Sequence, residues 1–381
     1  MSENPLSGNA AVLKKINRTR LLNNLWNNRA CSRTSLAETT GLDKKTITNL
    51  CNSLYSDGFI RIQDAESRGK GRPPQTISLN PDAACSIGID VGGGHVSAVL
   101  MDFAGNILDS FTRKDTFFRN DSVMETVKES VTALLRSPTG NLSRIQGIGI
   151  CIPGLLNCEK GIVIRSVNLK ELEGIPVVEE LSGEFGLPVF LEEASRSMAL
   201  AEIWFGGRYG SDDFIVADLG VGIGLGIVHQ GKLYRGAHES SGELGHIVVQ
   251  PEGRTCSCGK RGCLETVASG KAIYEASIMV SGEKNREREL FIQKAGSYAG
   301  MALANVINIL DPDEIILQGG LTELGETFLK PLKESAVMHS LAGKELLPRI
   351  RLSELKDNAG AMGAGILPLR SFFEMENIRF Q

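Results

Sequence analysis

The chain has 381 residues, 42% of them hydrophobic, with a net charge of −4 and a mean hydropathy of −0.04. That length suits two or three globular domains. No apolar run is long enough to span a bilayer and no basic-then-apolar leader opens the chain, so a cytoplasmic protein without a membrane partner is expected. The charge is uneven. Residues 1–82 carry a net +5 and the remainder −9, which points to polyanion contact by the N-terminal fifth alone.

In residues 12–28, Ile16, Leu21, Leu22, Leu25 and Trp26 fall roughly on one helical stripe. The next run, "SRTSLAETTGL", offers Thr34 or Ser35 as an N-cap and Gly41 as a stop. In "DKKTITNLCNSLYSDGFI", Asp43 is an N-cap, Ile47, Leu50 and Leu54 share a face, and Gly58 closes the helix. Two short helices about a turn at Gly41 predict a helix-turn-helix, whose second helix enters the major groove. Its outer face offers Lys44, Lys45, Thr46, Thr48, Asn49 and Asn52, which suit phosphates and base edges. Two alternating stretches around "AESRGKGRPP" predict a wing carrying Arg68, Lys70 and Arg72 at its tip. The rival reading is a three-helix interaction domain with a solvated charged face. Helix pair, wing and charge together favour DNA.

From residue 84 the texture changes. "CSIGIDVGGGHVSAVLMDFAGNIL" reads as strand, glycine turn, strand and a further turn at Gly105. The plan recurs in "DFIVADLGVGIGLGIVHQGKLY", with Asp90 and Asp218 at equivalent strand ends. The recurrence predicts two lobes built alike, each with a turn whose backbone N–H groups can approach a phosphate.

Of eight cysteines, five (Cys31, Cys51, Cys85, Cys151, Cys158) are scattered as small buried hydrophobes are. The other three, in "CSCGKRGC", are Cys256, Cys258 and Cys263. In a reducing compartment they read as metal ligands, one short of a tetrahedral shell.

Asp90-Val-Gly-Gly, "GIGICIPG" at 147–154, "GELGHIVV" at 242–249 and "CSCGKRGCLE" at 256–265 resemble the ROK family of repressors, open reading frames and sugar kinases. The likeness covers nearly the whole chain, including the head that the family's repressor branch carries. It implies an α/β architecture: an N-terminal winged helix-turn-helix followed by a two-lobed actin-like, hexokinase-like (ribonuclease H-like) ROK domain. The expected division is a DNA-binding domain at 1–82 and a first lobe at 83–205, joined by a C-terminal helix at about 364–381. A second lobe with the metal site takes 206–363.

The resemblance implies that His246, on a strand-like run, completes the shell with Cys256, Cys258 and Cys263. Of five histidines it lies close ahead of the cysteines. Four protein ligands leave no open position, so a structural Zn2+ is expected. A zinc finger of the DNA-reading kind would carry its second ligand pair on a helix. The resemblance also places Gly154, Asn168, Glu193, Glu243, His246 and Glu265 around a sugar. Carboxylates accept hydrogen bonds from vicinal hydroxyls, and the metal would orient His246 through one ring nitrogen.

The family's kinases carry Glu-Asn-Asp-Ala-Asn ahead of "ALAE", and that Asp is the base. Here Glu193 stands at the Asn and Ala194 at the Asp. The phosphate turns lack the family's threonines, at Gly94 and Val221. No catalytic residue and no ATP binding are therefore expected, since losing a base alone typically costs ~10²–10⁴-fold. Arg196 could pair with Glu193 or receive an acidic or phosphorylated sugar. The expectation is a sugar-responsive repressor of a carbohydrate-utilisation operon, binding operator DNA as a dimer or tetramer. The alternatives are a sugar kinase with an appended head, and a regulator controlled by a protein partner.

Overall fold

The structure is a computed structural model that describes residues 5–64, 75–114, 123–139, 142–206, 211–279, 285–341 and 343–374. The long α1 (Pro5–Asn28) buries Leu21, Leu22, Leu25 and Trp26 near its C-terminal end. A short β1 (Ala30–Cys31) precedes α2 (Arg33–Thr40) and α3 (Lys44–Ser56). Ser32, not Thr34 or Ser35, caps α2, accepting from Ser35 N at 3.1 Å. The helix starts at Arg33, so the two expected caps fall inside its first turn. Gly41 ends α2 at φ +68°, which a Cβ would disfavour. Asp43 caps α3, accepting from Thr46 N at 2.9 Å and from the Thr46 hydroxyl at 2.6 Å. Next, β2 (Ile60–Asp64) pairs antiparallel with β3 (Gln75–Leu79), Ile60 opposite Leu79, and β1 joins β3 on its other side. The intervening tip with Arg68, Lys70 and Arg72 lies outside the described residues.

The body begins with β4 (Cys85–Gly92), β5 (His95–Asp102) and β6 (Ile107–Lys114), an antiparallel meander. Then come α4 (Val123–Leu135), β7 (Ile145–Ile152), the hairpin β8 (Leu155–Asn157) and β9 (Ile162–Arg165), α5 (Val177–Phe185), β10 (Val189–Glu193) and α6 (Ala194–Trp204). Strands β7 and β10 run parallel to β4, giving the order β6-β5-β4-β7-β10. Nearly every β4 side chain is buried, because both faces of this central strand are covered.

The second sheet uses β11 (Phe214–Leu219), β12 (Ile223–His229) and β13 (Lys232–Tyr234) as its meander. It is followed by α7 (Glu265–Ala268), α8 (Gly270–Met279), α9 (Asn285–Leu310), β14 (Glu314–Gln318), α10 (Glu326–His339) and β15 (Arg349–Leu352). Its order, β13-β12-β11-β14-β15, repeats the first sheet with β11 in the place of β4. The chain then returns as α11 (Ala359–Ile366), which packs on β4, β7 and α6, and ends its described part with α12 (Arg370–Phe373). Helix α11 can lie this close because it is built from Ala and Gly: a Cβ on Gly363 would strike the Ser197 carbonyl of α6. Among the described residues no helix is long and apolar enough to cross a membrane.

Candidate functional site

The metal-ligand cluster is assembled by two segments that zip together. Val249 N donates to Gly262 O at 2.9 Å and Leu264 N to Ile247 O at 2.9 Å. This holds His246 beside the cysteine loop. The expected strand at His246 is instead a single 3-10 turn, Leu244–His246, which rotates the imidazole toward the thiols. Donor atoms of His246, Cys256, Cys258 and Cys263 all lie within 4.8 Å of one another. His246 Nδ1 is 3.6 Å from Cys256 Sγ, and Cys258 Sγ is 3.7 Å from Cys263 Sγ. A tetrahedron with metal–sulfur bonds near 2.3 Å and metal–nitrogen bonds near 2.05 Å has S···N edges of about 3.6 Å and S···S edges of about 3.8 Å. The cluster therefore fits a structural metal. Burial, reinforced by its neighbouring thiols, pushes Cys263 up to about 12, a strain that a dication among the thiolates reverses.

With Nδ1 turned to the thiols, His246 Nε2 faces Glu265 Oε2 at 3.7 Å and Glu243 Oε2 at 3.9 Å. Glu265 starts α7 immediately after the cysteine loop, and Asn168 reaches it from the other lobe through a side-chain hydrogen bond. Burial raises Glu265, against the pull of Asn168, and also raises Glu243. Gly154 lies at the start of the β8–β9 hairpin, tight against the Arg165 carbonyl. The structure thus brings Asn168, Glu243, His246 and Glu265 together.

Glu193 sits at the cleft's other side, in a role that spacing did not reveal. It is the N-cap of α6, accepting from Ser195 N at 3.0 Å and Arg196 N at 2.9 Å. Burial lifts it to about 7 despite Arg196 and the two amides. Ala194 begins the helix and is buried. Arg196 departs from the pairing expected for it. Its side chain, 1% exposed, pairs with Glu192 (Nε to Oε1, 2.8 Å), not Glu193. Its Nη1 donates to Glu239 O at 2.7 Å, and Arg235 pairs with Glu192 from the second lobe. Its Nη2 lies 3.8 Å from Cys158 Sγ, so the guanidinium is engaged mainly inside the protein. Glu239 also accepts from Cys158 N at 3.2 Å. The loop 235–242 therefore straps the lobes together beside the pocket. Sequence reading missed Glu192, Arg235 and Glu239, since nothing in their spacing marks them as partners.

The two glycine turns meet face to face. A Cβ on Gly93 would lie 2.9 Å from Val221 Cγ1, so an isopropyl group fills the space between them. His95 Nε2 lies 3.3 Å from Asp90 Oδ2. Burial opposes charge on His95, but Asp90, then Asp218 and Asp357, outweigh it and raise its pKa. Asp218 is lifted to about 8 by burial and by Asp90 and Glu193.

On the head, Lys44, Lys45, Thr48, Asn49 and Asn52 are exposed along α3. Thr46 is half-buried, with its hydroxyl engaged by Asp43.

A duplicated α/β body with a cleft beside a Cys3His cluster defines a sugar-kinase-like class. The ROK family model matches residues 86–370, and the chain belongs to that family. It is 31% identical over 386 residues to the xylose repressor of Bacillus subtilis, covering 95% of this chain and 97% of that one. The Thermotoga maritima glucokinase is 34% identical over 305 residues, covering 73% of this chain and 95% of the enzyme. The crystal structure of a ROK family transcriptional regulator, a homologue of the E. coli MLC protein, superposes with a TM-score of 0.76. It is 26% identical and covers 95% of this chain and 97% of its own.

Proposed function

We propose that the protein is a sugar-responsive transcriptional repressor with a kinase-like sensor that does not transfer phosphate. The head (residues 1–82) is a winged helix-turn-helix: α3 enters the major groove with Lys44, Lys45, Thr48, Asn49 and Asn52, and β2 and β3 are the paired strands of the wing. Residues 83–205 with the returning C-terminal segment form the first lobe, and 206–363 the second. The repressor-named relatives run the length of the chain, head included, whereas the glucokinase match leaves about a quarter of it uncovered. The observation that carries the non-catalytic half is the α6 N-terminus. Ala194 offers no proton acceptor, and both Glu193 oxygens are engaged by helix amides. Val221 narrows the space a triphosphate would need.

The effector is a sugar or sugar derivative. Its hydroxyls would be bound by Glu243, Glu265, Asn168 and the Nε2 of His246. Zn2+, when bound, supplies a fixed crosslink, and His246 is thereby held with one nitrogen for the ligand. Two heads on a homo-oligomer read half-sites about one helical turn, or a multiple, apart. Sequencing DNA fragments retained by the full chain, with and without D-xylose, D-glucose or N-acetyl-D-glucosamine, tests this. Retention of one operator class that a sugar changes supports the reading. Sugar-independent retention together with ATP-dependent sugar phosphorylation overturns it.

A further inference from the structure

Helix α6 has one end in the cleft and the other at the head. Its N-terminus is capped by Glu193. Its last residue, Trp204, offers a carbonyl that the helix cannot satisfy internally. That carbonyl accepts from the indole Nε1 of Trp26, in α1, at 2.8 Å. Trp26 is 2% exposed, with ring centroids 5.1 Å from Trp204, 5.5 Å from Phe205 and 5.0 Å from Phe373. Another attachment of the head is Phe59, just past α3, which meets Phe103 at 5.5 Å and Phe372 at 5.3 Å. The aromatic cluster therefore joins α1 and α3 to the body in one core.

Between its ends α6 has no slack. Residues Ala194–Glu202 are all buried. On one side β12 approaches so closely that a Cβ on Gly226 would lie 2.5 Å from Ala199 Cβ, and on the other Ser197 Oγ donates to Gly360 O of α11 at 2.8 Å. A close-packed rod of 11 residues, about 16 Å long, moves as a unit when one end is displaced.

We propose that α6 carries the effector signal from the cleft to the head, with Trp26 as the positioning residue that receives it. This rests on the reading of the cleft as a sugar sensor and of the head as the DNA reader. Ligand engagement of Glu243, whose charge bears on Glu193, displaces the capped end of α6; this shifts the Trp204 carbonyl and the aromatic seat of Trp26, and α1 turns α3 relative to the body.

The chain has two tryptophans, Trp26 and Trp204, so its emission reports this junction alone. Full-length protein is titrated with D-xylose, D-glucose and N-acetyl-D-glucosamine, following heat and tryptophan emission in parallel. The expected result is an emission change with the same midpoint as the heat. Heat of binding with constant emission overturns the link. If none of the three sugars gives heat, the sensor reading fails for them, and the link is decided by Glu193→Gln. That variant weakens the cleft-end cap and is expected to alter emission in the folded protein; unchanged emission overturns the link. Glu193→Asp, which keeps a capping carboxylate but shortens it, takes its place should Glu193→Gln not fold. On a recovered operator, Trp26→Phe keeps a ring but loses the donor. It is expected to shrink the sugar-induced affinity change at least about fivefold, with sugar affinity by heat little altered. A purely structural Trp26 would instead lower operator affinity by the same factor with and without sugar, and that result refutes its role.

Discussion

Replacing Arg196 with alanine removes the centre of the strap between the lobes. Glu192, 0% exposed, loses its 2.8 Å partner and keeps Arg235, while the Glu239 carbonyl loses a charged donor. Deleting one member of a buried pair costs about 3–5 kcal/mol when the remaining charge is left uncompensated, and the retained Arg235 makes that range an upper bound. Set against a typical stability of about 5–15 kcal/mol, that is a large fraction. At roughly 2–4 °C per kcal/mol for a domain of this size, the apparent Tm should fall by up to roughly 6–20 °C. Differential scanning fluorimetry at pH 7 measures it. The double variant Glu192→Gln/Arg196→Met deletes both charges and should recover most of the loss. An Arg196→Ala shift below about 2 °C, or a double variant no better than the single, would refute the assignment of the strap's strength to this pair.

Four further outcomes are expected. Cys258→Ser or Cys263→Ser should release zinc, measured as about one equivalent per wild-type chain by elemental analysis, and should abolish sugar binding through loss of the His246 setting. Stability should fall as pH rises between about 4 and 8. Asp218 and Glu193 hold protons in the folded chain, at about 8 and about 7, that they release near 4 when unfolded. The folded state then binds more protons in this window, so each group contributes a negative slope of up to about 1.4 kcal/mol per pH unit. Asp218→Asn should flatten the urea-unfolding profile there, and an unchanged slope would exclude Asp218 as a source. Lys45→Ala should weaken operator binding across sequences and reduce the salt-dependence slope by about one. Asn49→Ala should relax preference at one base position at a cost of about 1–3 kcal/mol, both by fluorescence anisotropy.

Local signals were legible where one residue decides one conformation. Asp43 and Gly41 marked their helix ends without help from the rest of the chain. Thr34 and Ser35 have the same capping chemistry as Ser32, and only the start of the helix at Arg33 distinguishes them. The thiol spacing announced a metal cluster, while the fourth donor came from family likeness. Backbone pairing between 247–249 and 262–264 is what places it, and turns the expected strand into a 3-10 turn.

Periodicity and glycine placement in this chain determined two repeated strand-turn-strand units and a basic helical head, because these features depend on neighbours within a few positions. The partner of Arg196, the capping role of Glu193 and the seating of Trp26 on the Trp204 carbonyl were decided by tertiary structure alone. The Arg196 guanidinium pairs with Glu192 and not with the adjacent Glu193, whose two oxygens are taken up by the Ser195 and Arg196 amides at the start of α6. Trp26 and Trp204 stand 178 positions apart, and only the docking of α1 onto the end of α6 gives the indole its acceptor.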